Sequence, residues 1–164
     1  MECPGLLDHI KHINKGNIQW DKCDHITNER YEESLEIALM SGDIVFSKDG
    51  SIGNPALIRN LPGKATINST MMLVRPHEFL YPEYFYQIMD SIYFKRLIRE
   101  RLSGTAIPHI FQEDMKKFKF PLPSIEEQKF IAGILEALDH QVKSIELQIS
   151  CSKSLQKSLI NQIF

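Results

Sequence analysis

The sequence lacks most of the features that assign a chain to a class at sight. Its three cysteines, Cys3, Cys23 and Cys151, are odd in number and far apart, so no disulfide framework is expected and a reducing, cytoplasmic setting fits. No stretch approaches the roughly 18 apolar residues of a membrane helix. The opening Met1-Glu2-Cys3-Pro4-Gly5 has no basic region followed by an apolar run, so no secretory signal is read there. No GxxxxGK[ST] loop is present and no GxGxxG follows a strand, which argues against phosphate-cradling sites of either kind. Basic charge is not in excess: the net charge is −2, which speaks against nucleic-acid binding through bulk charge. Apolar residues are not scarce. At 43% they suffice for a sizeable core, and disorder is disfavoured.

Catalytic and metal-binding constellations are sparse. Asp43 and Asp49 flank an apolar run with Lys48 beside them, and nucleases use acid pairs with a lysine to hold a metal and activate water. Both aspartates adjoin turn signals, however, where aspartate is ordinary turn chemistry. His9, His12, Cys23 and His25 contain zinc-ligand atoms, but their spacing matches no common finger and no CxxC pair accompanies them. Asn60-Leu61-Pro62-Gly63 is distantly similar to the Asn/Asp-Pro-Pro-aromatic motif of adenine methyltransferases, but lacks the second-position proline and the stacking aromatic. No catalytic residue, metal ligand or cofactor is assigned.

The first 124 residues read as mixed α and β. Short β-like runs cover 43–47, 56–59 and 70–75, separated by Ser41-Gly42, Asp49-Gly50, Gly53-Asn54 and Leu61-Pro62-Gly63. Asp49-Gly50 suits a hairpin turn, because glycine accepts the positive φ required there. A helix is expected from Pro82, a residue tolerated in a first helical turn. Phe85, Ile88, Met89 and Ile92 then recur at helical spacing and Ser103-Gly104 ends the run. A short helix is expected over 112–117, followed by an extended Phe118–Pro123 strap whose prolines disfavour helix.

Residues 125–164 form a second unit. Ser124 and Glu127 compose a Ser-x-x-Glu capping box after Pro123, and no proline interrupts the chain beyond it. Ile131, Leu135, Leu138, Val142, Ile145, Ile149, Ser152, Gln156, Leu159 and Ile163 follow alternating steps of four and three, and eight of the ten are apolar. This is a coiled-coil seam more than four heptads long. The expected helix is roughly 55–60 Å long, more than a domain of this size can cover. It needs a partner helix, although folding back on its own domain is the alternative. Ser152 and Gln156 would fix register or loosen pairing.

Local charge is the one positive sign of nucleic acid. From Tyr93 to Lys119, seven cations face three anions, a net of +4 in a chain of −2. Lys95 and Arg99 on a helix could meet phosphates, and Tyr93 and His109 could approach bases; a solvated helix face is the alternative.

Several segments together resemble the specificity subunit of type I restriction–modification systems. Leu39–Gly53 (LMSGDIVFSKDGSIG) is similar to the family's Gly-Asp-Ile-Leu…Gly-Ser…Gly segment, and Ala65–Asn68 leading to Met72–Arg75 is similar to the strand after it. Ser103-Gly104-Thr105 and Phe120–Ile131 (FPLPSIEEQKFI) look like the Leu-Pro-Pro-x-x-Glu-Gln-x-x-Ile signature that opens the family's long helix. The resemblance spans residues 5–164. It implies an α+β target recognition domain followed by a helix that pairs antiparallel with another. It further implies a non-catalytic reader of double-stranded DNA that directs modification subunits, which methylate adenine, and restriction subunits, which hydrolyse ATP and cut. A full subunit has two recognition domains and two helices. One of each implies a half-subunit, and the family carries further residues before the segment matching Pro4–Asp8. Two copies would mimic a full subunit as a homodimer. The expected dimerisation residues are Ile131, Leu135, Leu138, Val142, Ile145 and Ile149. The expected DNA contacts are Lys48 and Ser51 in the hairpin turn, with Lys95, Arg99, Arg101 and His109. A coiled-coil adaptor that binds partner enzymes without reading DNA is the alternative.

Overall fold

The run Ile44-Val45-Phe46 is apolar at every position, the pattern of a strand covered on both faces. A computed structural model, which describes residues 7–10, 13–14, 16–49, 52–102 and 109–163, places it at the centre of the domain. In chain order the elements are strands β1 (Leu7–Ile10), β2 (Ile13–Asn14), β3 (Asn17–Ile18) and β4 (Asp24–Ile26), then helix α1 (Asn28–Glu32). Strands β5 (Ile44–Ser47), β6 (Gly53–Leu57), β7 (Thr66–Ile67) and β8 (Met71–Val74) come next. Helices α2 (Pro82–Asp90), α3 (Ile92–Leu102), α4 (Gln112–Lys116) and α5 (Ile125–Ile163) complete the chain.

Strand β5 pairs antiparallel with both β6 and β8. Successive side chains of a strand point to opposite faces, and here each face has its own core. Ile44, Phe46, Leu57 and Met72 pack with Tyr84, Phe85, Ile88, Met89, Phe94 and Leu97 of the helices. Val45, Ala56, Ile58 and Met71 pack on the other side with Cys23, Leu39, Ala65 and Ile67. That second core includes Ile67 of β7, which belongs to a sheet of order β4-β1-β7 in which β1 pairs antiparallel with β4 and parallel with β7.

The β5–β6 hairpin forms as expected, with Gly50 and Ser51 outside the described residues. The second strand begins earlier than its composition suggested. Gly53 and Asn54, read as a turn, open β6 at φ +102° and +52°, and the pairing register shifts between Val45 and Ser47. That bulge lets an edge strand carry Pro55, which lacks an N–H for the ladder.

The single helix expected from Pro82 is two. Ser91 is extended (ψ 177°) and caps both pieces: its N–H donates to the Ile88 carbonyl, and its Oγ accepts from the Tyr93 N–H at 3.1 Å. The break resets the helical phase. Ile92, expected on the apolar stripe, is therefore 64% exposed, and Phe94 is buried in its place against Phe46, with ring centroids 5.1 Å apart and nearly perpendicular.

Helix α5 starts at the expected box: the Ser124 N–H donates to Glu127 (3.0 Å) and the Glu127 N–H to Ser124 Oγ (3.4 Å). Its 39 residues make a helix about 58 Å long. The first turns lie against α2, burying Gln128 and Ala132. Farther along, Arg59 pairs with Glu136 (3.2 Å) and Gln87 donates to Asp139 (3.1 Å). From 137 to 163 every side chain is exposed.

Candidate nucleic-acid interface

Two hydrogen bonds and one bridge gather several candidate residues at one end of the central sheet. Lys48 follows β5, where its N–H donates to the Thr70 carbonyl (2.9 Å) and its carbonyl accepts from the Ile110 N–H (3.1 Å). Asp49 and His109 form an isolated antiparallel bridge, and the His109 Nδ1 contacts the Asp49 carboxylate. The hairpin end is thereby fastened to the segment leading into α4. The His109 ring leans on Phe111 (centroids 4.2 Å apart), and Phe111 is 62% exposed.

Arg101 joins the same end from α3. Its Nε lies 2.9 Å from Asp114. Asp114 is buried and also accepts the Phe111 N–H (3.0 Å), closing the first turn of α4. Arg101 is thus tied to the start of α4 while its own side chain stays 41% exposed. Lys95 and Arg99, four residues apart and so on one helical face, lie exposed on α3. Lys95 pairs with Asp90 at 3.4 Å, both well exposed, a type of pair worth little. Arg99 donates its Nε to the Lys95 carbonyl (3.2 Å) and makes no ion pair with a carboxylate among the described residues, as is also true of Arg96. Ser51 lies outside the described residues.

A cleft of about 980 Å³ opens beside this cluster. Its lining includes Lys48, His109, Phe111 and Gln112, together with Arg30 of α1 and Asn68. Sequence reading did not single out Phe111, Gln112, Arg30 or Asn68. Phe111 carried a usable signal, a large apolar residue next to the helix start at Gln112 and off every helical stripe. Arg30 and Asn68 reach the cleft only through long-range pairing, which no local pattern displays.

The carboxylates considered for metal chemistry do not meet. Asp43 and Asp49 stand at opposite ends of β5, roughly 20 Å apart at the rise of a strand. Asp43 is 1% exposed. It accepts from the Met40 N–H (2.7 Å) and from two nitrogens of Arg75 (2.7 and 2.8 Å), and Arg75 also donates to the Ala38 carbonyl (2.8 Å). The hydrogen bond to the Asp43 carboxylate pushes the Arg75 guanidinium up from its ordinary value, and through these contacts the Gly-Asp-Ile aspartate clips the turn before β5 to the end of β8. Cys23, one of the zinc-type candidates, is buried with its Sγ 3.4 Å from the Gln19 carbonyl; His25 is exposed on β4, and His12 lies outside the described residues.

The seam residues are where the spacing puts them, on one side of α5. Leu135 is half-buried near the domain, while Leu138, Val142, Ile145 and Ile149 are 50–56% exposed and Ile131 36%. No helix of the described residues is long and apolar enough to cross a membrane.

A mixed α and β domain thus hands its chain to a long helix whose distal side chains are all exposed. The chain belongs to the type I restriction modification DNA specificity domain family, whose model matches residues 7–150. It is 26% identical over 163 residues to a putative type I restriction enzyme MjaX specificity subunit of Methanocaldococcus jannaschii, covering 96% of this chain and 38% of that protein. It is 30% identical over 125 residues to the EcoR124I/EcoR124II specificity subunit of Escherichia coli, covering 74% and 30%. The HsdS subunit of Thermoanaerobacter tengcongensis has a similar crystal structure (TM-score 0.57, 25% identity), covering 66% of this chain and 28% of that one. The chain therefore spans about a third of the length of these relatives.

Proposed function

We propose that this chain is a non-catalytic, sequence-specific reader of double-stranded DNA that directs the modification and restriction subunits of a type I complex in the cytoplasm. Residues 1–124 form the recognition domain and 125–164 the spacing helix. One observation carries the reading: a family specificity domain continues into 27 helical residues, 137–163, whose side chains are all exposed. An apolar seam of that length needs a second helix, and a second copy paired antiparallel would rebuild a two-domain subunit. Two identical readers about a two-fold axis read a palindromic split target. Lys48, Ser51, His109 and the exposed Phe111 and Gln112 would face the bases. Lys95 and Arg99 would meet phosphates, with Arg101 supporting them.

The test is selection from a randomised duplex pool by the chain assembled with its modification subunits. A palindromic split target is expected, and assembly without sequence preference would overturn the reading. That second outcome describes an adaptor that binds partner enzymes alone, which the acidic charge of −6 outside residues 93–119 favours.

A further inference from the structure

Gln128 stands out in α5 because it is a polar side chain only 1% exposed. Its amide is almost fully used, and always by backbone. The Oε1 accepts from the Tyr81 N–H (2.8 Å), and the Nε2 donates to the Phe79 carbonyl (3.1 Å) and the Pro123 carbonyl (2.9 Å). Tyr81 is the residue before α2, and Pro123 lies in the strap before α5. One side chain thus joins the start of α2, the strap and the first turn of α5. Only an amide can do this, since it presents an acceptor and two donors on one planar group. Glutamate lacks the donors and methionine lacks both. The strap is held a second time by the Tyr84 hydroxyl, which donates to the Pro121 carbonyl (2.9 Å).

The other polar attachments of α5 are weaker. Arg59–Glu136 is 42% exposed on both sides and Gln87–Asp139 is an exposed amide–carboxylate contact; such pairs yield easily in water. Gln128, at the root of the helix, is by contrast buried and bonded three times to backbone.

We infer that Gln128 is a positioning residue that fixes the angle between the recognition domain and α5, and through that angle the length of DNA between the two half-sites. The inference rests on the reading proposed above. A domain of about 120 residues has a radius of gyration near 14 Å, which puts its far surface roughly 30 Å from the bolt. A 10° tilt there moves that surface about 5 Å, more than one base-pair step of about 3.4 Å. Both copies of a two-fold pair tilt together, so the gap changes by twice as much. The bases read within each half-site do not change.

The experiment uses Gln128→Met, which keeps length but loses all three bonds, and Gln128→Glu, which keeps the volume and the acceptor for the Tyr81 N–H but loses the donors to the Phe79 and Pro123 carbonyls. Circular dichroism melting shows which variants are folded. Spin labels are placed on native Cys151 and on Asn60→Cys, in a chain also carrying Cys3→Ser and diluted with unlabelled chain. Pulsed electron resonance should give one narrow distance in the parent, a broad distribution in Gln128→Met and an intermediate one in Gln128→Glu. Each complex with its modification subunits is then offered duplexes with fixed half-sites and variable gaps. The parent should select one gap. The Met variant should accept gaps one or two base pairs longer and shorter, and bind the original gap about tenfold more weakly, the order of one mismatched base pair. An unchanged label distance overturns the bolt. Broadened distances with an unchanged gap preference, or equal weakening at every gap, overturn the spacing role. A parent complex that selects no split target overturns that role together with the reading beneath it, and the label distances then judge the bolt alone.

Discussion

The central sheet and the distal half of α5 hold similar residues in opposite circumstances. Ile44, Val45 and Phe46 are 0% exposed, each facing a core supplied by the same chain. Leu138, Val142, Ile145 and Ile149 are equally apolar and half or more exposed. The sheet finds its cover inside the chain because strands and helices close over it on both faces. The helix runs past the domain that could have covered it. The apolar pattern is alike in both places; the reach of the domain decides which of the two is covered within the chain.

The contrast gives its sharpest test in core substitution. Phe46→Ala should destabilise the domain by about 3–5 kcal/mol, read from urea unfolding, and Val142→Ala at a low concentration of monomer should cost under about 0.5 kcal/mol, as for an ordinary surface change. A comparable loss at both positions would mean that α5 is covered by its own domain. Asp43→Ala should cost on the order of 3 kcal/mol, because it leaves the Met40 N–H and part of the Arg75 guanidinium without their partner; a loss below 1 kcal/mol would reassign the clip to the surface.

Within the basic segment, the two arginines should separate. Arg101→Ala should lower melting temperature by removing the partner of buried Asp114, by about 1 kcal/mol. Arg99→Ala should leave melting unchanged but weaken DNA binding across all sequences and reduce the salt slope by about 1. Interchange of those two outcomes would contradict the assignment. The smallest effect concerns the start of α5. Hydrogen bonds from the Ser124 side chain and backbone hold the Glu127 carboxyl below its usual value. A depressed folded value contributes stability above the unfolded value, lost as pH falls through the folded one. The Gln128 amide resonance should therefore report fraying of the first turn in acid, and Ser124→Ala should remove most of that pH dependence.

Much of this was legible in the sequence because it is local. The capping box, the seam, the hairpin around Asp49-Gly50 and the short helix at Gln112 depend on residues a few positions apart. Three features were not. The β4-β1-β7 sheet joins residues about 60 apart in the chain, and its short strands carry no periodic signal. The break at Ser91 is set by one extended serine whose hydroxyl competes with the helix for backbone partners, while the flanking stripe reads as continuous. Gln128 lies in the quoted Glu-Glu-Gln stretch but off the seam, so periodicity gives it no role; its partners at Phe79 and Tyr81 are nearly 50 residues away. Among the candidate contacts, the structure gathers Lys48, His109 and Arg101 at one end, while Lys95 and Arg99 share a different, exposed face of α3.

The most direct test of the pairing claim is the molar mass of the purified chain by light scattering, measured beside Leu138→Glu. The account predicts a dimer of about 38 kDa, twice the 19.0 kDa chain, that falls to a monomer in the variant as a charge enters the seam. A parent chain that stays monomeric at every concentration would contradict pairing with a second copy.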